Sequence, residues 1–574
     1  AHSHATGTGG ADVHFLQPRE RADGRLLAVK LPLSDSYRGG ELVLIDIENY
    51  IDNDQPTATN AGILNGPAQR AATVNDVRTD GTVSPGGRFS SAWPLRDGTD
   101  RMLVSWSECR LLENTQIVPC TPDRLDNSSA VEADPLYGIF LYDRERDTQL
   151  PVVVPEEGVM FTDVVAAEPR TLPAILFDRA PGVGLDAQFL SEEVGVLDIR
   201  SVYDIDGVDT AVPDIATLAD PALTQANDRP ARFLRIVKAV GIPDDTVAMI
   251  RGSAIGPGNQ LMREIIGYVP VQPDGSVRAK VPADVPLAIS VVDRHGRRLG
   301  GRHQFWLQLR AGETVSCNGC HDHASGIPHG HPEGPPPVWA GATATGLPFP
   351  NTLAALFTDF GDSMADTLTR IDHTALLPSV DPVYADVWTD EDAAGRAPDA
   401  PFALAYADLA TPAPATPDCM RTWDGLCRTV IHYEQHIHPL WGLDRGADTC
   451  TNCHTTNNGA GLMVPDAQLE LTDGPSPDVA AQLHSYRELL VRDFEQDIIG
   501  GILQDILVDG PIDPDTGLPT QVRVPVAAPM SASGALASTG FMRVFGAGGS
   551  HDGRLSPAEL RLVYEWLDIG AQYW

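Results

Sequence analysis

The sequence predicts a mixed fold, β first and α after: a propeller-like β N-terminal region, a middle β-sandwich-like domain and a helical C-terminal domain. Three observations carry this. Short apolar runs separated by Gly, Pro, Asp and Asn fill the first third, a PDGS turn joins two alternating strands in the middle, and from about residue 346 the apolar spacing becomes helical. The domains are expected at 1–185, 186–345 and 346–574. A chain of 574 residues is too long for one ordinary domain.

In the first region, strands are expected at Gly24–Leu31, Glu41–Ile47, Arg101–Ser107, Tyr137–Asp143 and Thr148–Val154. ELVLID and YGIFLYD form a weak repeat, each a strand ending at Asp, as in propeller blades. Only about two blades fit, whereas a closed propeller needs at least four. The propeller is therefore expected to be completed by another chain or to lack an upstream part in this sequence. In the middle, Arg232–Val240, Ile265–Pro282 and Pro286–Leu299 read as strands and turns. Amphipathic helices are expected at Asn351–Ile371, Thr429–Trp441 and Asp478–Ile498. The last helix, Pro557–Gln572, opens on a capping box in which Ser556 caps, Pro557 takes the first position and Glu559 the third.

Composition excludes several classes of function. With 42% hydrophobic and 21% charged residues, the chain can bury enough apolar surface to fold. A net charge of −37 repels bare nucleic acid and anionic membrane surfaces. No apolar run of about 18 residues exists to span a bilayer as a helix. The opening AHSHATGTGG has neither a signal pattern nor a leading Cys, so an exported protein would be present here in mature form.

The eight cysteines form four close pairs. Two have the form CxxC followed at once by His: CNGCH at Cys317, Cys320 and His321, and CTNCH at Cys450, Cys453 and His454. This is the attachment signature of c-type haem. Two thiols three residues apart on a turn both reach the haem vinyl groups, and the adjacent His lies under the iron as proximal ligand. A four-cysteine zinc site would place its two pairs roughly 15–20 residues apart and has no need of the trailing His. Two covalently bound haem c groups are therefore expected, with a cytochrome c domain at the C-terminus. The other pairs, Cys109 with Cys120 and Cys419 with Cys427, read as short loops closed by disulfides; free thiols or a second metal site are the alternative. Disulfides and covalent haem both belong outside the cytoplasm, which predicts a periplasmic or extracellular protein.

At this point the chain resembles the multidomain haem proteins related to the α subunit of hydrazine synthase. The segments carrying the resemblance are PLYGIFLYDRERDTQLPVV; RFLRIVKAVG through PDGSVRAKVPADVPLAISVVDRHGR to ETVSCNGCH; and EQHIHPLW, DTCTNCH and SHDGRLSPAELRLVYEWLDIGAQYW. It runs roughly from Pro135 to the end and implies propeller, middle β domain and C-terminal cytochrome c domain. No hydrazine-specific group can be matched here, and hydrazine formation does not transfer.

Sixth ligands separate an electron carrier, with two strong ligands on each iron, from an enzyme with an open position. For the second haem the candidate is His551 in GGSHDGRLSP, since the tail resembles relatives in which a His before the last helix caps the haem. Met530 in VAAPMSAS is the alternative, and its blander reading is a core methionine. For the first haem, His436 in QHIHPLW is the candidate, beside His438; His323, His329 and His331 are near in sequence, and His2 and His4 could ligate a neighbouring subunit's haem. For each of these histidines an exposed or hydrogen-bonded ring is the competing reading. No catalytic residue is assigned.

The expected function is a dihaem c-type cytochrome carrying electrons between redox protein partners or copies of itself, as a homo-oligomer, filament or larger haem assembly. The alternative is a haem redox enzyme with the first haem open and the second as relay. A propeller that binds a partner, with the haems secondary, is a third reading.

Overall fold

The computed structural model describes residues 13–32, 36–52, 55–57, 59–60, 66–127, 129–169, 172, 175, 177–242, 244, 246, 262–303, 305–322 and 334–574. His2, His4, His323, His329 and His331 lie outside them. The chain divides into two compact units, one of residues 1–177 with 321–336 and the other of residues 178–320 with 337–574.

The first unit is built on two four-stranded antiparallel sheets. One takes β1 (Val13–Glu20), β2 (Leu26–Pro32), β3 (Glu41–Ile45) and β4 (Gln69–Ala71) in that order. The other has the order β8-β7-β6-β5, from β5 (Arg88–Pro94), β6 (Arg101–Ser107), β7 (Gly138–Asp143) and β8 (Thr148–Val153). Each has the strand count of a propeller blade. Side chains alternate across a strand, so Leu27, Val29 and Leu31 of β2 enter one core with Leu42, Leu44, Met102, Val104, Phe140 and Tyr142. All five expected strands are present within a few residues of their expected ends, and β1, β4 and β5 are additional. The Cys109–Cys120 disulfide forms, bracketing a hairpin in which Arg110–Glu113 pairs with Gln116–Pro119. Asn114 and Thr115 turn it at φ 47° and 69°, the left-handed pair a two-residue hairpin turn requires.

The second unit contains two three-stranded sheets. In one, β9 (Val194–Ile199) pairs antiparallel with β12 (Val277–Pro282) and parallel with β14 (Thr314–Cys317). In the other, β10 (Phe233–Ala239) lies between β11 (Arg263–Pro270) and β13 (Leu287–Val292). FLRIVKA carries apolar side chains on both sides of the strand because both faces of β10 are covered. Leu234 and Ile236 join Leu197, Ile199, Val277 and Ala279 in a sandwich core. Phe233 and Val237, on the other face, join Ile265, Tyr268 and the last helix in a second core.

Helices gather towards the C-terminus, with shorter spans than the periodicity suggests: α1 (Met364–Ile371), α2 (His484–Leu490), α3 (Thr539–Phe545) and α4 (Pro557–Asp568). The expected Thr429–Trp441 helix is a single wide turn, Tyr433–Ile437, followed by the four residues Pro439–Gly442. The expected Asp478–Ile498 helix stops at Leu490, and Gln496–Ile499 pairs with Ile502–Asp505 as a hairpin. Gly500 and Gly501, at φ 64° and 83°, form its turn. The capping box at Ser556 and Glu559 is present. Among the described residues no helix is long and apolar enough to cross a membrane.

Candidate functional site

The second CxxCH motif begins on a tight turn, Cys450–Asn452, and the His454 N–H donates to the Cys450 carbonyl at 3.0 Å. That one turn directs both the buried Cys450 and the His454 ring towards a cavity of about 280 Å3. Leu471, Leu489, Met530, Phe541 and Phe545 make its wall largely apolar. His454 Nδ1 lies 3.1 Å from the Leu469 carbonyl. A carbonyl accepts only, so the bond places the proton on Nδ1 and leaves Nε2 with its lone pair available as a ligand.

His551 enters the same cavity from the loop after α3. The His551 N–H donates to the Val544 carbonyl at 2.8 Å, folding that loop back on the helix, and a Cβ on Gly549 would run into the same Val544 carbonyl. The His551 ring is 5.2 Å from Phe545 and 6.0 Å from His454, with the two imidazoles tilted by 34°. Its Nδ1 is 2.8 Å from Ser550 Oγ. Burial first, then the Arg554 charge, holds His551 below the usual histidine range. The donor set fits a c-type haem: two imidazoles on one cavity, an apolar enclosure and two cysteines, Cys450 and Cys453, not bound in disulfides. Met530, 3% exposed, lines the same cavity, so both sequence candidates for the sixth ligand converge there.

The first motif is held differently. Strand β14 ends at Cys317, opposite Ile199 of β9, and the Cys320 N–H donates to the Asp204 carbonyl at 2.7 Å. A Cβ on Gly319 would collide with that same carbonyl, so the second variable position of this CNGC admits only glycine. Both thiols are half-buried; burial first, then Cys317 and Asp204, push the Cys320 thiol up to about 11. His321 follows directly in sequence. His436 sits in the wide turn between Tyr433 and Ile437, where its Nδ1 accepts the His432 N–H at 2.9 Å, and burial pushes it down to about 4. That bond occupies the Nδ1 lone pair and leaves the proton on Nε2. His438 is hydrogen-bonded through both ring nitrogens, to Asp473 and to Ser485.

Cys419 and Cys427 form the second disulfide, around the buried Trp423. Among the described residues no group of three or more His, Cys, Asp or Glu is arranged to hold a metal ion by side chains alone, so the four motif cysteines do not converge on a zinc-type site. Sequence reasoning missed the Leu469 carbonyl, which orients His454 from 15 residues away and carries no side-chain signal.

A β-rich chain that delivers CxxCH from the edge of a sandwich has the organisation of a haem-related protein. Residues 232–322 match the family described as hydrazine synthase alpha subunit middle domain, and the middle region resembles that domain, as the sequence segments implied. Among solved structures the chain is similar to Kuenenia stuttgartiensis hydrazine synthase, at 16% identity and a TM-score of 0.44, covering 99% of this chain and 62% of that one. The chain thus spans less than two thirds of the length of that relative. No curated protein matches.

Proposed function

We propose that the chain is a dihaem c-type cytochrome that carries electrons outside the cytoplasm. The observation that carries the reading is the pair of imidazoles, His454 and His551, whose ring centres lie 6.0 Å apart on one largely apolar cavity lined also by Cys450. Cys450 and Cys453 would anchor the second haem, with His454 and His551 as ligands to its iron; Cys317, Cys320 and His321 would serve the first. Bound there, haem supplies reversible one-electron exchange. The chain's own residues orient His454 through Leu469, place His551 through the Val544 contact and exclude water with Phe541 and Phe545. The division into 1–185, 186–345 and 346–574 belongs to this proposal, as does exchange with redox partners or with copies of itself.

One observation favours a second reading, a haem redox enzyme whose first site is open on one side. Ligation by His436 Nε2 requires its Nδ1 bond to the His432 backbone to give way, because the present tautomer protonates Nε2. Spectra of the holoprotein separate the two. The carrier predicts two low-spin haems, with His436→Ala disturbing the first and His551→Ala turning the second high-spin and open to carbon monoxide, while Met530→Leu leaves both unchanged. A native high-spin band, with prompt carbon monoxide binding and no response to His436→Ala, establishes the open first site. A native low-spin second haem that His551→Ala does not alter overturns the assignment of His551.

A further inference from the structure

Two β-hairpins grow from the wall of the cavity shared by His454 and His551. Their root is part of that wall: Asp493 and Phe494 pair with Val526 and Pro525, and Asp493 and Val526 line the cavity. From there Gln496–Ile499 pairs with Ile502–Asp505, and Leu507–Ile512 pairs with Pro519–Arg523. Backbone bonds tie the two hairpins together at the base, where the Ile506 N–H donates to the Glu495 carbonyl and the Glu495 N–H to the Val524 carbonyl, both at 2.8 Å.

Their side chains do not suit a surface that meets only water. Residues alternate between the two faces of a ribbon, and in the first hairpin both faces carry aliphatic pairs, Ile499 opposite Ile502 and Ile498 opposite Leu503. In the second, Val508 lies opposite Val522. Ile499, Ile502, Leu507, Ile512 and Leu518 are each more than half exposed. Single exposed aliphatic residues are ordinary, whereas a group of them on one pair of ribbons marks a contact surface. A two-stranded ribbon is marginally stable by itself, so burying these side chains against a partner would also stabilise the hairpins.

Charge selects the kind of partner. Between residues 496 and 523 stand Asp497, Asp505, Asp509, Asp513 and Asp515 against Arg523 alone, and Arg523 is already 3.3 Å from Asp505. Aliphatic side chains bordered by carboxylates are complementary to an apolar patch ringed by lysine or arginine. A second copy of this chain brings the same carboxylates and its own net charge of −37, which opposes that pairing.

We infer that the paired hairpins, residues 496–523, are the docking surface for a basic redox protein, which they hold beside the cavity of His454 and His551. This rests on the electron-carrier reading and names its partner's chemistry. Carboxylates would steer the partner's arrival, and the aliphatic contact would set how long it stays.

The test uses the full holoprotein and, as probe, a small lysine-rich c-type cytochrome. Binding to the immobilised probe is measured at low salt. Oxidation of the reduced holoprotein by the ferric probe, one electron passing from haem to haem, is followed by stopped flow. Ile502→Ser, Ile512→Ser and Leu518→Ser together change exposed side chains, so the fold and the haem spectrum should hold. This triple variant should bind the probe at least tenfold more weakly and react with it correspondingly more slowly, while its oxidation by a small cationic cobalt complex keeps the wild-type rate. Asp497→Asn, Asp509→Asn and Asp515→Asn together should slow association several-fold and flatten its salt dependence. No binding by the wild type, or wild-type affinity in the serine variant, overturns the docking surface. A wild-type dimer in sedimentation that the serine variant abolishes also overturns it, because the occupant is then a second copy. Binding that the serine substitutions weaken, with no electron passing, supports the surface and counts against the carrier reading alone.

Discussion

Glu565 has no exposed surface of its own and organises three donors: Arg561 Nε at 2.7 Å and the hydroxyls of Tyr268 and Tyr406. Removing one partner of a buried ionic network leaves the others uncompensated, at a cost of roughly 3 kcal/mol. Glu565→Gln keeps the shape and removes the charge, so denaturant unfolding should show a loss of that order; a change below about 1 kcal/mol would mean that Asp381 alone neutralises Arg561. Asp493 behaves in the opposite sense. Burial and the adjacent Glu488 raise its carboxyl to about 6, with His484 the nearby cation. The folded state therefore holds the proton more tightly than the unfolded chain does, and this stabilising contribution, complete below about 4, is lost as pH rises through 6. Asp493→Asn should raise Tm by about 1–2 °C at pH 8, after allowance for solvent screening, and change little at pH 4. Equal shifts at both pH values would contradict the sign. At this scale the two CxxCH motifs were legible because their signal is local, whereas His551 was reached only through the resemblance of the tail. Arg235 was not legible, since its partner Asp568 lies 333 residues away.

The start of α4 joins two jobs. Ser556 Oγ accepts the Glu559 N–H at 3.2 Å, and Glu559 returns a bond to the Ser556 N–H while holding Arg445, five residues before the second CxxCH, at 2.6 Å. Ser556→Ala should cost about 1 kcal/mol in denaturant unfolding, the usual worth of an N-cap. Because Glu559 stays in place, the haem spectrum should not change; a spectral shift would show that the cap, and not only Arg445, positions the motif. This capping box was legible because its signal sits within four residues. The hairpin at Gln496–Asp505 was not. Ile498, Ile499, Ile502 and Leu503 satisfy helical spacing as well as strand alternation, and the Gly500–Gly501 pair that decides for a turn outweighs periodicity only once its positive φ values are seen. The expected helix over Thr429–Trp441 failed for a related reason. Pro439 interrupts the backbone ladder, and the chain beyond it forms only a four-residue helix, Pro439–Gly442, with Leu440 and Trp441 in the core.

For the whole molecule the controlling quantity is the charge of −37, to which each covalent haem would add propionates. The field of such a surface acts on anything that approaches the chain from solution, and salt shortens its reach from about 30 Å at 0.01 M to about 8 Å at 0.15 M. Reduction of the holoprotein by a small cationic complex should therefore slow several-fold across that range, while reduction by an anionic complex of similar potential should quicken. Copies of the chain repel one another by the same field, so any self-association must rest on apolar or ligand-mediated contacts and should strengthen with added salt, as sedimentation would show. The two measurements are independent readings of one potential. If the cationic and anionic reductants respond to salt in the same direction, the haem edges are reached through a locally neutral or basic window, and the acidic surface does not select the redox partner.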